Sequence, residues 1–123
     1  RFDERLPFYG WLEDVDFSVQ AGRRGHLIKT PRLQGVHLGV KGGRTSGLRF
    51  GYSQMMNPVY LLRKGTIGFP QASANFLRTF AANHIKVLRQ DPLVDRRGRI
   101  RGNWIAIGDI LRGRITPERI TSL

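Results

Sequence analysis

The sequence contains no cysteine, which excludes disulfide bonds and thiolate metal sites and fits a protein of a reducing compartment. It also lacks any apolar run near the roughly 18 residues that cross a bilayer, and no signal peptide is visible. From residue 17 to residue 90 there is no aspartate or glutamate, whereas twelve lysines and arginines fall in that span. These absences predict a cytoplasmic protein with a long cationic region.

The charge that is present is strongly unbalanced. The 123 residues include 21 basic and 9 acidic side chains, which gives a net charge of +12 and implies an anionic partner. The apolar fraction of 40% and a mean hydropathy of −0.33 indicate about one folded domain. Five of the nine acidic residues lie within residues 2–19, just before the cationic region. Acids in that position are suited to holding a divalent metal, or to taking a proton, beside a phosphate-bearing substrate.

Local patterns in the first half predict a loop over residues 1–11, then a helix over about 12–24 that ends at a glycine. Short apolar runs predict two strands at 26–29 and 33–38, separated by Thr30-Pro31-Arg32. The glycine-rich segment 39–51 is typical of a mobile loop, followed by a short helix that starts at Asn57-Pro58 and ends at Lys64-Gly65. Alternatively, Pro58 kinks a longer helix that runs from about Leu48.

The second half is predicted to be helical. Residues 70–90 form the clearest helix, because apolar side chains recur every three or four positions, at Leu77, Phe80, Ala81, His84, Ile85 and Leu88. A basic hinge at 96–101 precedes a helix over about 103–112, and Thr116-Pro117-Glu118 is typical of one more helix start. The expected fold class is therefore α+β and mostly helical, with a short strand pair followed by helices.

Three acids occupy the predicted start of the first helix: Glu13, Asp14 and Asp16. The helix dipole stabilises ionised carboxylates there, and such a group can accept a proton from an attacking hydroxyl. Asp14 and Asp16 point about 200° apart on a helix of 3.6 residues per turn. We therefore expect one acid to face a cleft and another to cap the helix or pair with an arginine. The alternative for all three is ordinary capping.

These acids belong to a longer pattern. Phe2-Asp3-Glu4, residues 10–18 (GWLEDVDFS) and Arg23-Arg24-Gly25 closely resemble the "FDE…GWEDVDFSxRxxxxG" stretch of family 2 glycosyltransferases, which have the GT-A fold. The resemblance continues with residues 28–31, with Val36-His37-Leu38-Gly39, and with residues 47–52 followed by Asn57 and Arg63-Lys64. It covers residues 2–64, whereas residues 65–123 resemble only the basic helical tail of such enzymes.

The resemblance implies part of a GT-A (α/β) fold that lacks the nucleotide-binding N-terminal half. Residues 1–64 would be the acceptor-side part of the catalytic domain, and residues 65–123 a basic helical C-terminal extension. The implied reaction is an inverting transfer in which Asp14 is the general base. Trp11 would stack on the acceptor sugar, and Glu13 or Asp16 would orient the acceptor site.

The resemblance also implies a divalent metal, Mn or Mg, which His37 would share with the missing half. Arg44 and Arg49 would close over the leaving diphosphate. The partners would be a nucleotide-sugar donor and a saccharide or lipid-linked acceptor, as in polysaccharide biosynthesis at the bacterial cell envelope. The metal-binding D-x-D motif of the family is absent, and Asp14-Val15-Asp16 belongs to the acceptor side. Because the chain begins at Arg1 within a motif, we expect a piece of a longer protein that has no turnover alone.

Two other function classes stay open. The charge and a pI of about 11.5 suit a nucleic-acid-binding module, but the sequence has no RNP, KH, zinc-finger or helix-turn-helix signature, which argues against nucleic acid. A non-catalytic membrane-surface adaptor is the third class. Basic residues at 78, 86 and 89 share a predicted helix with Phe76, Phe80 and Ile85. Such a helix suits an anionic membrane surface, here the inner face of the bacterial membrane.

Overall fold

The chain is built from helices. The computed structural model describes residues 1–8, 10–36, 46–88 and 93–123. Its elements are four α-helices and a short 3₁₀-helix at Pro117–Ser122; the α-helices are α1 (Glu13–Gly22), α2 (Gly47–Lys64), α3 (Phe69–Lys86) and α4 (Arg96–Leu111). No strand occurs within these ranges, so the predicted α+β class, with its strand pair and partial α/β GT-A fold, is wrong.

The two predicted strands fail for a physical reason. Residues 26–29 and 33–36 have irregular backbone, while residues 37 and 38 lie outside the described residues. The apolar side chains on which the prediction depended are exposed, from 63% for Leu27 to 87% for Val36. A strand needs a neighbour for its backbone hydrogen bonds and a face to bury, and the described residues offer this segment neither.

Helix α2 lies at the centre and follows the longer of the two predicted helices, with Pro58 inside it. It begins at the Ser46 side chain, whose Oγ accepts a hydrogen bond from the backbone N–H of Arg49 at 3.3 Å. It ends at Gly65, whose φ of 76° lies in the left-handed region. Thr66 N–H then donates to the Leu61 carbonyl at 2.9 Å, which satisfies the last turn.

Close contact between α2 and α4 depends on glycine. Gly47 and Gly51 on α2 meet α4, on which Gly98 and Gly102 repeat the same four-residue spacing. A Cβ added to Gly51 would clash with backbone atoms of Arg99. Residues 47–51 are therefore helix rather than mobile loop, and residues 96–101 form the first turns of α4 rather than a hinge. Both predictions were wrong because glycine is a weak helix former that a close helix crossing nevertheless requires.

Buried amides join α2, α3 and α4. Asn83 on α3 donates to Gln54 Oε1 at 2.8 Å and to Asn103 Oδ1 at 3.1 Å. Asn103 donates in turn to the Gly51 carbonyl at 2.7 Å. The helix predicted over 70–90 is confirmed over residues 70–86 as α3, while residues 89 and 90 lie outside the described residues; its inward face carries Ala72, Thr79 and Asn83.

Two apolar clusters complete the core. One joins the N-terminal segment to the end of α2 and the start of α3 through Leu6, Tyr60, Leu61, Ile67 and Ala72. The other lies between α2, α4 and the 3₁₀-helix and consists of Tyr52, Met55, Met56, Ala106 and Ile120. Among the described residues, no helix combines the length and apolar character needed to cross a membrane.

Candidate functional site

The segment before α1 has an unusual backbone. Phe8 and Leu12 have φ angles of 61° and 70°, a region that bulky side chains rarely adopt. Between them, Gly10 is tightly enclosed, because an added Cβ would lie 2.7 Å from the Leu6 carbonyl oxygen and 2.8 Å from Glu13 Oε2. The Glu13 N–H donates to the Gly10 carbonyl at 2.8 Å. These contacts fix the direction in which the chain enters α1.

Trp11 is held in place by α2. Its backbone carbonyl accepts a hydrogen bond from Asn57 Nδ2 at 2.9 Å, and its ring meets the Phe50 ring edge-on at a centroid distance of 5.6 Å. The indole N–H is buried and has no hydrogen-bond partner among the described residues. The side chain as a whole is half-buried. Trp11 is therefore fixed on one side by the core and partly open on the other.

The first turn of α1 directs its three acids differently. Asp14 is exposed, and its carboxylate has no hydrogen bond or ion pair within the described part of the chain. Glu13 is half-buried, and burial, with a smaller contribution from the negative charge of Asp14, raises its pKa above the ordinary value. In the described ranges no side chain caps this helix, so Asp14 is not occupied in capping.

Asp16 points into the protein. It is fully buried, and its oxygens accept hydrogen bonds from Gln20 Nε2 at 2.6 Å, Lys64 Nζ at 2.8 Å and Thr66 Oγ1 at 2.7 Å. The opposite directions of Asp14 and Asp16 agree with their spacing in the sequence, but the cation that pairs with Asp16 is a lysine rather than an arginine. Asp16 thus joins α1 to the end of α2.

Lys64 Nζ also donates a hydrogen bond to Asp3 Oδ2 at 2.6 Å, and Tyr60 OH donates to the same oxygen at 2.8 Å. Burial alone would raise the pKa of Asp3. Hydrogen bonds from Lys64, the Arg5 N–H and Tyr60 outweigh burial, so the pKa lies below its usual range. The sequence prediction gave Asp3 and Lys64 no structural role, and their only signal was their place in the motifs that carry the resemblance.

A surface depression of about 480 Å³ runs along α1 beyond Asp14. Phe17, Ala21 and Arg24 line it on the helix side, and His26 and Leu27 close its far end. Phe17 follows Asp14 by three residues, so the two side chains share one face of the helix. The lining of the depression is basic and aromatic, and Asp14 lies on the same face of α1 as Phe17 but is not part of that lining.

Of the other predicted site residues, the structure describes only Arg49. Arg49 lies beside the same loop, since its guanidinium carbon is 5.2 Å from the centre of the Phe8 ring. Its Nε donates to the Leu123 carbonyl at 3.2 Å. His37 and Arg44 lie outside the described residues. The structure thus gathers Trp11, Glu13, Asp14 and Arg49 around one loop, and it turns Asp16 away from them.

The described residues do not form a complete site for the predicted metal. Within residues 1–8, 10–36, 46–88 and 93–123, no group of three histidines or acids is arranged to hold a metal ion. Glu13 and Asp14 supply two carboxylates, and the third acid nearby is committed to Lys64. The described residues therefore do not fit a resident metal by themselves.

Comparisons of the chain with protein-family models, with curated proteins and with solved structures gave no match. The candidate site therefore stands on its own geometry and on the motif resemblance.

Proposed function

We propose that this chain supplies the acceptor side of an inverting glycosyltransferase, which moves a sugar from a nucleotide-sugar donor to a hydroxyl of a saccharide or glycolipid. The resemblance of residues 2–64 to family 2 glycosyltransferases suggests the reaction. The geometry around Asp14 supports it independently. Because the described chain is all-helical, the proposal concerns this helical portion only.

One observation carries the proposal: the Asp14 carboxylate is exposed at the end of a strained loop and has no hydrogen bond or ion pair with the described residues. Backbone strain of the kind seen at Phe8 and Leu12 costs of the order of 1–3 kcal/mol per residue and clusters at functional sites. Ordinary capping would need neither the strain nor an unpaired acid. The same loop carries Trp11, three residues before Asp14 in the sequence.

In the proposed reaction, Asp14 accepts the proton of the acceptor hydroxyl. The acceptor oxygen then forms a bond to the anomeric carbon, from the face opposite the leaving group. The bond between that carbon and the diphosphate oxygen breaks, its electron pair leaves with the nucleoside diphosphate, and the anomeric configuration inverts. A positioned carboxylate base contributes typically 10²–10⁴-fold to such a step.

The neighbouring residues divide the remaining work. Trp11 offers an apolar ring on which a sugar can stack, and the groove past Phe17 accommodates the rest of the acceptor. Glu13 orients the acceptor hydroxyls from its half-buried position. Asp16 acts as a positioning residue, because its three hydrogen bonds fix α1 and leave nothing for the acceptor. Arg49, beside Phe8, is the described residue suited to the diphosphate.

Donor binding requires parts that the described residues do not supply. On this proposal the nucleotide pocket would lie outside the described residues. A divalent ion, Mn or Mg, would be held by His37 together with ligands from outside the described residues.

The test is Asp14→Asn in the complete enzyme, assayed for transfer from nucleotide-sugar donors. We expect kcat to fall by about 10²-fold or more while the circular dichroism spectrum and melting temperature change little. Glu118→Gln is the control, because that carboxylate pairs with Arg5 at the surface.

Transfer by the Asp14→Asn enzyme at close to the wild-type rate would refute the proposal. If the chain is instead a nucleic-acid-binding module, the same variant should bind nucleic acid slightly more tightly, because it removes one negative charge.

A further inference from the structure

Helix α3 carries its apolar residues on the outside. One exposed stripe recurs at spacings of three and four along α3 and the turn after it, and it consists of Pro70, Ala74, Leu77, Ala81, Ile85 and Leu88. Leu77, Ile85 and Leu88 are 64%, 67% and 86% exposed. At about 100° per residue these positions fall within roughly 80° of one another, so they form a continuous strip.

This arrangement reverses that of an ordinary surface helix, whose apolar side faces the core. The core side of α3 is occupied by the Asn83 amide network and by Thr79, so the helix cannot turn its apolar stripe inward without breaking buried hydrogen bonds. Phe76 and Phe80, which the sequence analysis grouped with Ile85 as apolar residues of a membrane-binding helix, pack against the core instead. A contiguous exposed apolar strip of this kind marks a binding surface.

The flanks of the stripe are cationic and aromatic. Arg78 is exposed on one side, and Lys86 is exposed in the last turn of the helix. On the other side lies Trp104 of α4, whose ring is 5.6 Å from that of Phe80 and is 56% exposed. Trp104 continues a row of exposed α4 residues that includes Arg97 and Arg101.

Within helices α3 and α4, every exposed charged side chain is basic. Helix α3 contains no acidic residue, and the single acid of α4, Asp109, is buried against Tyr52 and Arg119. A second copy of the chain would bring like charges together on this face. A nucleic acid would bind the cations but leave the apolar stripe in water. An anionic bilayer accommodates both the apolar stripe and the cations, because its acyl chains cover the stripe while its lipid phosphates pair with the arginines.

We propose that α3 lies in the headgroup region of an anionic membrane, with the stripe facing the acyl chains and Trp104 at the interface. The basic side chains reach outward to the lipid phosphates, and the aromatic ring occupies the depth that tryptophan prefers. This role does not depend on transferase activity, and it places the helix on the membrane rather than across it.

The experiment is co-sedimentation of the purified full chain with vesicles of phosphatidylcholine alone or with about one-third phosphatidylglycerol. We expect binding to the anionic vesicles. The double variant Leu77→Gln/Ile85→Gln should weaken vesicle binding at least tenfold, since it removes two apolar side chains that the acyl chains would cover. The double variant Arg78→Gln/Lys86→Gln should weaken it by roughly 25-fold, at about fivefold per charge.

Matched controls come from the exposed segment 26–36. Ile28→Gln/Leu33→Gln removes as much exposed apolar surface, and Lys29→Gln/Arg32→Gln removes the same charge, so each should bind almost as wild type. Circular dichroism checks that all variants are folded. Equal losses in test and control pairs would overturn the proposal, as would equal binding to neutral vesicles. It would also be overturned if the stripe variants changed only the oligomeric state, measured by light scattering.

Discussion

The ammonium nitrogen of Lys64 lies 2.8 Å from the buried Oδ2 of Asp16, so the last turn of α2 supplies the cation that α1 needs for its inward acid. The lysine side chain is 29% exposed, whereas that of the aspartate is 1% exposed. The pair therefore has its anion in the interior and its cation at the edge. This asymmetry decides what removal of either partner should cost.

We expect Lys64→Met to destabilise the fold by about 3 kcal/mol, because it leaves a buried carboxylate without its cation. Urea unfolding followed by circular dichroism measures the loss. Arg63→Met, at an exposed neighbouring position, is the control and should cost less than about 0.5 kcal/mol. Equal effects of the two substitutions would show that the buried pair contributes little.

The same substitution, Asp→Asn, should cost much more stability at Asp16 than at Asp14. Asp16→Asn weakens three buried hydrogen bonds and should cost about 2–4 kcal/mol of stability. Asp14→Asn removes an exposed charge from the first turn of a helix and should cost less than about 1 kcal/mol. Thermal unfolding of both variants checks this. A large loss for Asp14→Asn would mean that this acid has a structural role.

The lowered pKa of Asp3 predicts a dependence of stability on pH. Its unfolded pKa is about 3.8 and its folded pKa is lower, so the unfolded chain binds the proton more tightly. The stabilisation by Asp3 is therefore fully present above pH 3.8 and is lost as pH falls through the folded pKa. Asp3→Asn should be less stable than wild type at pH 6 but lose less on acidification to pH 3, as measured by urea unfolding. Parallel losses in both proteins would contradict this prediction.

The glycine contacts of α2 predict large effects of very small changes. Gly51→Ala would force a methyl group against the Arg99 backbone and should cost about 2–3 kcal/mol or more, because neither helix can move without breaking the amide network. Gly35→Ala, where nothing lies within 4 Å of the added atom, is the control and should change stability by less than about 0.5 kcal/mol. Differential scanning calorimetry measures both. Similar melting temperatures would show that the helices can separate at little cost.

The sequence predicted the helices better than their surroundings. The three-and-four spacing that predicted α3 depends only on local geometry, and the helix is present over Phe69–Lys86. Which face turns inward depends on Asn83 meeting Gln54 and Asn103, which are 29 and 20 residues away. No local pattern carries that information.

In the candidate site, too, local spacing predicted some features, whereas contacts between distant residues were not predictable. The spacing of Asp14 and Asp16 was enough to predict opposite directions, because the angle between them follows from helix geometry. The identity of the inward acid's partner was not predictable from spacing, since Lys64 lies 48 residues away. The two predicted strands were wrong because exposed Ile28 and Leu33 look the same in a sequence as buried ones.

The crossing of α2 and α4 has a consequence for local opening of the fold. Where Gly51 and Gly102 bring the two backbones together, the peptide groups themselves form the interface. Solvent can reach those amides only when the helices part, which also breaks the bond from Asn103 to the Gly51 carbonyl. Deuterium should therefore enter this crossing last of all, through global rather than local unfolding, while the irregular segment 26–36 exchanges within seconds.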